Sequence, residues 1–237
     1  MFIFKRHFWF GIVAGLALGT WVRQWRVEGV TQERLDEYYR TRASRYNLTD
    51  AFTPRVEMRQ TLIEMAQLQR GQRILDFACG AGANIPYVME KIGAEGHITA
   101  SDYSQPMLDA AHTEFVLGKG WNNITLVQAD AAQMEFPEQF DVVMCTMGLA
   151  VIPNWEQALE RAWSLVKPGG ILAIGDLKES ERWYTQPIRW LRDILDVLIV
   201  ADSTRKPWEW MRAQNDSFQF RETFHGFFYA ATLRKPS

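Results

Sequence analysis

Four places in this chain pair an apolar run with a polar or small residue at its end: Asp76, Asp102, Asp130 and Cys145–Thr146. Ala78, Cys79, Gly80, Ala81, Gly82 and Ala83 follow the first of them, a stretch with almost no side-chain bulk. Such a turn lets the backbone approach a ligand closely and aims helix N–H groups at it. Asp102 lies 26 positions beyond Asp76 and can accept both hydroxyls of a ribose. Tyr103 beside it offers a flat apolar face to a purine, and the acceptor of Asp130, next to Ala131, suits an exocyclic amino group. The chemistry these residues allow is the holding of a nucleoside-type ligand.

The elements that must position them alternate. Arg73 to Phe77 reads as a strand, Ile85 to Ile92 as a helix, Ile98 to Ser101 as a strand and Gln105 to Gly118 as a helix. Ile124 to Gln128 and the continuous apolar run Phe140 to Thr146 are strands, the latter buried on both faces and so central in a parallel sheet. Trp155 to Val166 is the next helix, and VKPGGILAIGD turns into a fifth strand ending at Asp176. Ser217 to Glu222 and Gly226 to Leu233 form a closing hairpin. Ligands of open α/β sheets bind outside the carboxyl ends of the strands, which is where the singled-out residues fall. The glycine pattern of a dinucleotide fingerprint is broken at Ala78 and Ile85, so an NAD-dependent reductase is the weakest reading.

An acid at the strand end followed by small-Cys-Gly-small-Gly resembles motif I of the class I S-adenosylmethionine-dependent methyltransferases, departing at Ala78, where that family more often has Gly. ASDYSQPML resembles the family's G-x-D-x-S-x-x-M-L segment, and the Lys-Pro-Gly-Gly turn is also similar. YYRTRASRYN resembles the opening helix of the ubiquinone/menaquinone-biosynthesis-like members, with Arg40 and Asn47 where acids are commoner. The resemblance implies a Rossmann-like, seven-stranded α/β sheet, mostly parallel with the last strand antiparallel. Helices cover both faces, and further helices precede the sheet. It implies S-adenosyl-L-methionine as cofactor, held by Tyr46, Asp76, Ala78, Gly80, Gly82, Asp102, Tyr103, Met107, Asp130, Ala131, Cys145 and Thr146. Tyr39 and Tyr46 become lid candidates.

Residues 1–27 are expected to form an apolar anchor, 28–70 a helical lid and 71–237 the methyltransferase domain, with a substrate-covering insertion at 178–215. Phe8 to Val22 is 15 residues without a charge, bounded by Trp9 and Trp21 and by Lys5, Arg6, Arg23 and Arg26. As a helix it would be about 22 Å long, short of a bilayer core of roughly 30 Å. A signal peptide, a short spanning anchor and an interfacial helix compete; the flanking tryptophans and arginines favour an anchor with the domain on the cytoplasmic side. Gly11, Gly15 and Gly19 recur every four residues and suit self-association. The net charge of −2 and the lack of a long basic run give no reason to expect a nucleic-acid partner. Two cysteines allow neither a disulfide framework nor a thiolate metal site, and no metal-ligand spacing appears.

Trp183, Trp190, Leu191, Ile194, Leu195, Leu198 and Ile199 in the insertion make an amphipathic pattern, suited to packing on the sheet, to an apolar substrate or to a membrane surface. Methyl transfer from a sulfonium needs positioning and exclusion of water more than it needs a base. His225, Asp176 and Tyr184 are the candidate bases if the acceptor must lose a proton. The expected reaction is methylation of a lipid-like acceptor, a prenylated quinone or a phospholipid head group. The alternatives are methylation of a small soluble acceptor such as a thiol, and a non-catalytic cofactor-binding assembly protein.

Overall fold

A computed structural model describes residues 30–42, 53–188, 194–196 and 198–237 of the chain. Two helices, α1 (Gln32–Arg42) and α2 (Thr53–Ala66), precede the alternating part. It runs β1 (Arg73–Phe77), α3 (Ile85–Ile92), β2 (His97–Asp102), α4 (Gln105–Ala111), β3 (Ile124–Gln128), β4 (Phe140–Thr146), α5 (Trp155–Ser164) and β5 (Val166–Leu177). After the insertion come α6 (Pro207–Gln214), β6 (Gln219–Thr223) and β7 (Phe228–Arg234).

The seven strands lie in the order β3-β2-β1-β4-β5-β7-β6. β1 to β5 are parallel, and β7 runs antiparallel to both its neighbours. The chain goes outward from β1 through β2 to β3, then crosses back to β4 on the other side of β1. Loops leaving β1 and β4 therefore diverge and open a crevice there.

Alternation along the strands builds one core on each face. Leu75, Phe77, Val143, Cys145, Leu172 and Ile174 meet α5 and α6. Ile74, Val142, Met144, Ile171 and Ala173 meet α2, α3 and α4. Each fully buried Leu, Ile or Val contributes about 1.5–3 kcal/mol by leaving water. Helix α2 is thus part of the sheet's cover, while α1 does different work. Its Leu35 packs with Val30 and Val200, and Tyr38, Tyr39 and Val151 lie against them.

Three elements depart from expectation. The second crossover helix is α-helical only to Ala111 and continues as a π-helical turn, His112–Gly118, with Phe115 buried and stacked on Trp121 at 5.8 Å. The Lys-Pro-Gly-Gly turn lies inside β5 as an irregularity: Phe140 pairs with Val166, but Val142 pairs with Ile171. A Cβ at Gly170 would come within 2.8 Å of the Asp141 carbonyl oxygen, so only glycine allows that close approach. In the insertion, Trp183–Ile188 is a 3-10 turn with Pro187 inside it, because proline has no N–H to continue an α-helix. Trp183, Leu195 and Leu198 face outward there instead of packing on the sheet. Among the described residues no helix is long and apolar enough to cross a membrane. The apolar stretch Phe8 to Val22, its glycines, Trp190 and Leu191 lie outside the described residues.

Candidate cofactor and acceptor site

A cavity of about 530 Å³ lies at the carboxyl ends of β1 to β4. Its walls come from the four loops that leave those strands, from Gln32, Leu35 and Tyr39 of α1 and from Arg59 of α2.

One end is polar. The Asp102 carboxylate accepts the Gly80 N–H at 2.7 Å with Oδ2 and the Ser104 N–H at 2.8 Å with Oδ1. It ties the small-residue turn after β1 to the start of α4. Each oxygen keeps a second lone pair, so both can also take a hydroxyl from the cavity. Burial pushes the Asp102 carboxyl above its ordinary range, and the two N–H groups pull it partly back. Tyr103, half exposed, and Met107, buried, form the adjoining wall. Asp130 accepts the Ala132 N–H at 2.9 Å, which turns the backbone so that Ala129, Asp130 and Ala131 line the next edge.

Of the residues expected to hold a cofactor, Ala78, Gly80, Asp102, Tyr103, Met107, Asp130, Ala131 and Thr146 line this cavity. Asp76, Gly82 and Cys145 stand behind its wall, and Tyr46 lies outside the described residues. Gly82 is a packing residue: a Cβ there would meet Ile85 at 2.7 Å and Phe115 at 2.8 Å. Cys145 points into the apolar core beside Val143 and Leu149, and burial pushes its thiol far up. Asp76 is fully buried and accepts the Asn84 Nδ2–H at 2.8 Å, while its other oxygen has no partner. Burial raises it to about 7, against the Asn84 hydrogen bond and the nearby Arg59 charge.

Asn84 passes the order on. Its Oδ1 accepts Arg59 Nε–H at 2.7 Å and the Thr146 hydroxyl at 3.0 Å. Arg59 therefore presents a buried guanidinium in the cavity wall, a group shaped for a carboxylate. It was missed in the sequence, though a signal existed: it interrupts the apolar side of α2 formed by Val56, Leu62 and Ile63.

The other end is apolar and belongs to the β4–α5 loop: Met147, Gly148, Val151, Ile152 and Pro153, faced by Leu35 and Tyr39. Met147 has a left-handed backbone, φ 60°, and so does Ala78 across from it, φ 51°. Three partners pin the loop. Asp176 Oδ2 accepts the Ala150 N–H at 2.9 Å, the Asp202 N–H donates to the Ala150 carbonyl at 2.8 Å, and Arg205 donates to the Leu149 and Ile152 carbonyls at 2.6 Å each.

The three candidate bases do not line this cavity. Asp176 is a buried loop anchor whose other oxygen takes the Leu177 N–H, with burial raising it to about 6. His225 and Tyr184 pair with each other on the surface, hydroxyl to Nδ1 at 3.1 Å, and neither lines the cavity. Among the described residues no group of three or more His, Cys, Asp or Glu side chains could hold a metal ion.

Residues 74–170 match the family model described as a methyltransferase domain. Over those residues the chain is similar to a methyltransferase domain. It is 32% identical over 136 residues to a demethylmenaquinone methyltransferase of Listeria monocytogenes, covering 57% of each chain. It is 24% identical over 193 residues to the demethylmenaquinone methyltransferase of Staphylococcus epidermidis, covering 79% of this chain and 78% of that one. The matched part thus spans little more than half the length of the first of these relatives. A solved S-adenosylmethionine-dependent methyltransferase from Aquifex aeolicus superposes with a TM-score of 0.59 at 20% identity, over 81% of this chain and 97% of that one. At that identity the likeness is one of fold, and the fold is that of the S-adenosylmethionine-dependent methyltransferases.

Proposed function

We propose that this methyltransferase domain binds S-adenosyl-L-methionine and methylates an apolar, quinone-like acceptor at a membrane. One observation carries the reading: a single cavity joins the carboxylate-tipped ends of β2 and β3 to the apolar β4–α5 loop under α1. The residues fit the cofactor part by part. Asp102 would hold the ribose hydroxyls, Tyr103 and Met107 the adenine faces, Asp130 the amino group and Arg59 the methionyl carboxylate. When bound, the cofactor supplies a methyl group already activated on a sulfonium. The chain's own work is then to orient the acceptor and keep water out, which Met147, Val151, Ile152, Leu35 and Tyr39 are placed to do. The names of the relatives support a quinone-like acceptor. The apolar stretch Phe8 to Val22 supports a membrane location, with the domain on the cytoplasmic side.

Isothermal titration with S-adenosylmethionine tests the first half. Transfer of labelled methyl to reduced demethylmenaquinone, with total lipid extract and small thiols as comparison acceptors, tests the second. Label in the quinone fraction is expected. Label in the thiol, or binding without any transfer, would replace the acceptor part of the proposal, and no binding would end the whole of it.

A further inference from the structure

We infer that the outward face of the insertion and of the adjoining β6–β7 tip is the surface by which this protein docks on a phospholipid bilayer; the inference rests on the membrane-acceptor reading above. Seven large apolar side chains are exposed among the described residues, and five of them, Trp183, Tyr184, Leu195, Leu198 and Phe224, lie on the insertion or the β6–β7 tip beside it. Trp183 is 83% exposed, an uncommon state for the largest side chain.

The cluster is built. Trp183 meets Tyr184 edge to face at 5.8 Å, Tyr184 meets His225 at 5.8 Å, and His225 meets Phe224 at 5.6 Å. Phe224 and His225 both hold left-handed backbones, φ 42° and 56°, which L-residues adopt at a cost. Ser180 Oγ fixes that tip by donating to the His225 carbonyl at 2.7 Å. Leu195 and Leu198, three residues apart, share one outward side of their turn, while Asp196 between them turns inward to Ser203.

Position decides the occupant. Leu177, at the carboxyl end of β5, pairs with Phe228, so the tip lies at the same end of the sheet as the cavity. Val200 of the insertion packs on Leu35, which lines the cavity, and on Val30. Val30 is where the 29 preceding residues join the described structure. The uncharged stretch ends at Val22, only about 28 Å of extended chain away at most. The stretch thus joins the fold beside the insertion, where Val30 packs on Val200. Acidic and basic side chains nearly balance between positions 178 and 206, so the contact is made by aromatic and leucine side chains in the interfacial layer, not by head-group charge.

The test uses the full chain with single reporter cysteines, Trp183→Cys, Leu198→Cys and, as control, Leu117→Cys. Leu117 is 69% exposed on the π-helical turn beyond α4, away from the insertion. The native Cys79 and Cys145 are buried and stay unlabelled. With an environment-sensitive fluorophore and phosphatidylcholine vesicles carrying spin-labelled acyl chains, positions 183 and 198 should be quenched at least about threefold more than 117, with little change on adding anionic lipid. Equal quenching at all three sites would overturn the docking surface even if the N-terminal stretch holds the protein on the vesicle. Cofactor titration of the same samples reports separately on the methyltransferase reading.

Discussion

Asp76 and Asp102 end neighbouring strands, yet they stand in different worlds. Asp102 reaches the cavity and keeps lone pairs for a ligand; Asp76 is sealed behind the wall with one oxygen unpartnered. Asp102→Ala should therefore weaken S-adenosylmethionine binding by about 1.5–3 kcal/mol, read by titration calorimetry, as loss of hydrogen bonds to a charged group does. Asp76 should instead show itself in stability. Its folded-state pKa is raised from 3.8 to about 7, so the folded protein binds the extra proton between those values. Its contribution to stability then falls as pH rises through that window and is level above it. Asp76→Asn removes the penalty. Its stability relative to wild type should grow between pH 4 and pH 7, by up to about 4 kcal/mol, in denaturant titrations at several pH values. A difference independent of pH would show that Asp76 is not protonated in the folded state. Sequence spacing marked both acids as tips of strands, but not which one is open to a ligand, because burial depends on Asn84 and Arg59 arriving from two helices.

Among the elements, the β4–α5 loop is the one most dependent on distant partners. It is held by Asp176 from β5 and by Asp202 and Arg205 from the insertion. Arg205 is largely buried; its Nη1 donates to both carbonyls while its Nε faces the Asp202 carboxylate at 3.5 Å, a spread of donors that a single lysine ammonium does not reproduce. Arg205→Met should cost about 2–4 kcal/mol of stability, since it leaves two carbonyls and Asp202 without their partner. Hydrogen exchange should rise most at 147–152, while the affinity for S-adenosylmethionine changes little. Protection lost evenly over the molecule would count against a local clamp. Gly148→Ala should act on the same loop from inside. Its Cβ would fall 2.4 Å from the Cys145 Sγ and 2.9 Å from the Ala78 Cβ, a clash costing about 1–3 kcal/mol in thermal unfolding. The strands themselves were legible: Arg73–Phe77, Ile124–Gln128 and Phe140–Thr146 have the bounds their apolar runs imply. The insertion was legible only in part: residues 194–196 and 198 are helical as the apolar pattern implies, but Pro187 leaves Trp183–Ile188 a 3-10 turn, and Trp183 and Leu198 face outward.

At the scale of the whole molecule, a ligand bridging the loops of β1 to β4 should stabilise them together. At about 100 times its dissociation constant S-adenosylmethionine should add about 2.7 kcal/mol to unfolding. At the same cofactor concentration Asp102→Ala should lose most of that gain, and equal stabilisation of both proteins would place the ribose elsewhere. What the amino-acid sequence determined alone is the alternation of strand and helix and the row of acids at strand ends. Both follow from local periodicity and from small residues in a turn, which need no distant partner to be recognised. Tertiary structure alone decided that Asp76, Gly82 and Cys145 lie behind the wall and that Arg59 lines it. It also made Asp176 a loop anchor and gathered the exposed aromatics on the insertion and the β6–β7 tip. Each of those outcomes turns on which groups meet across the fold, and burial and hydrogen-bond partnership are properties of that meeting.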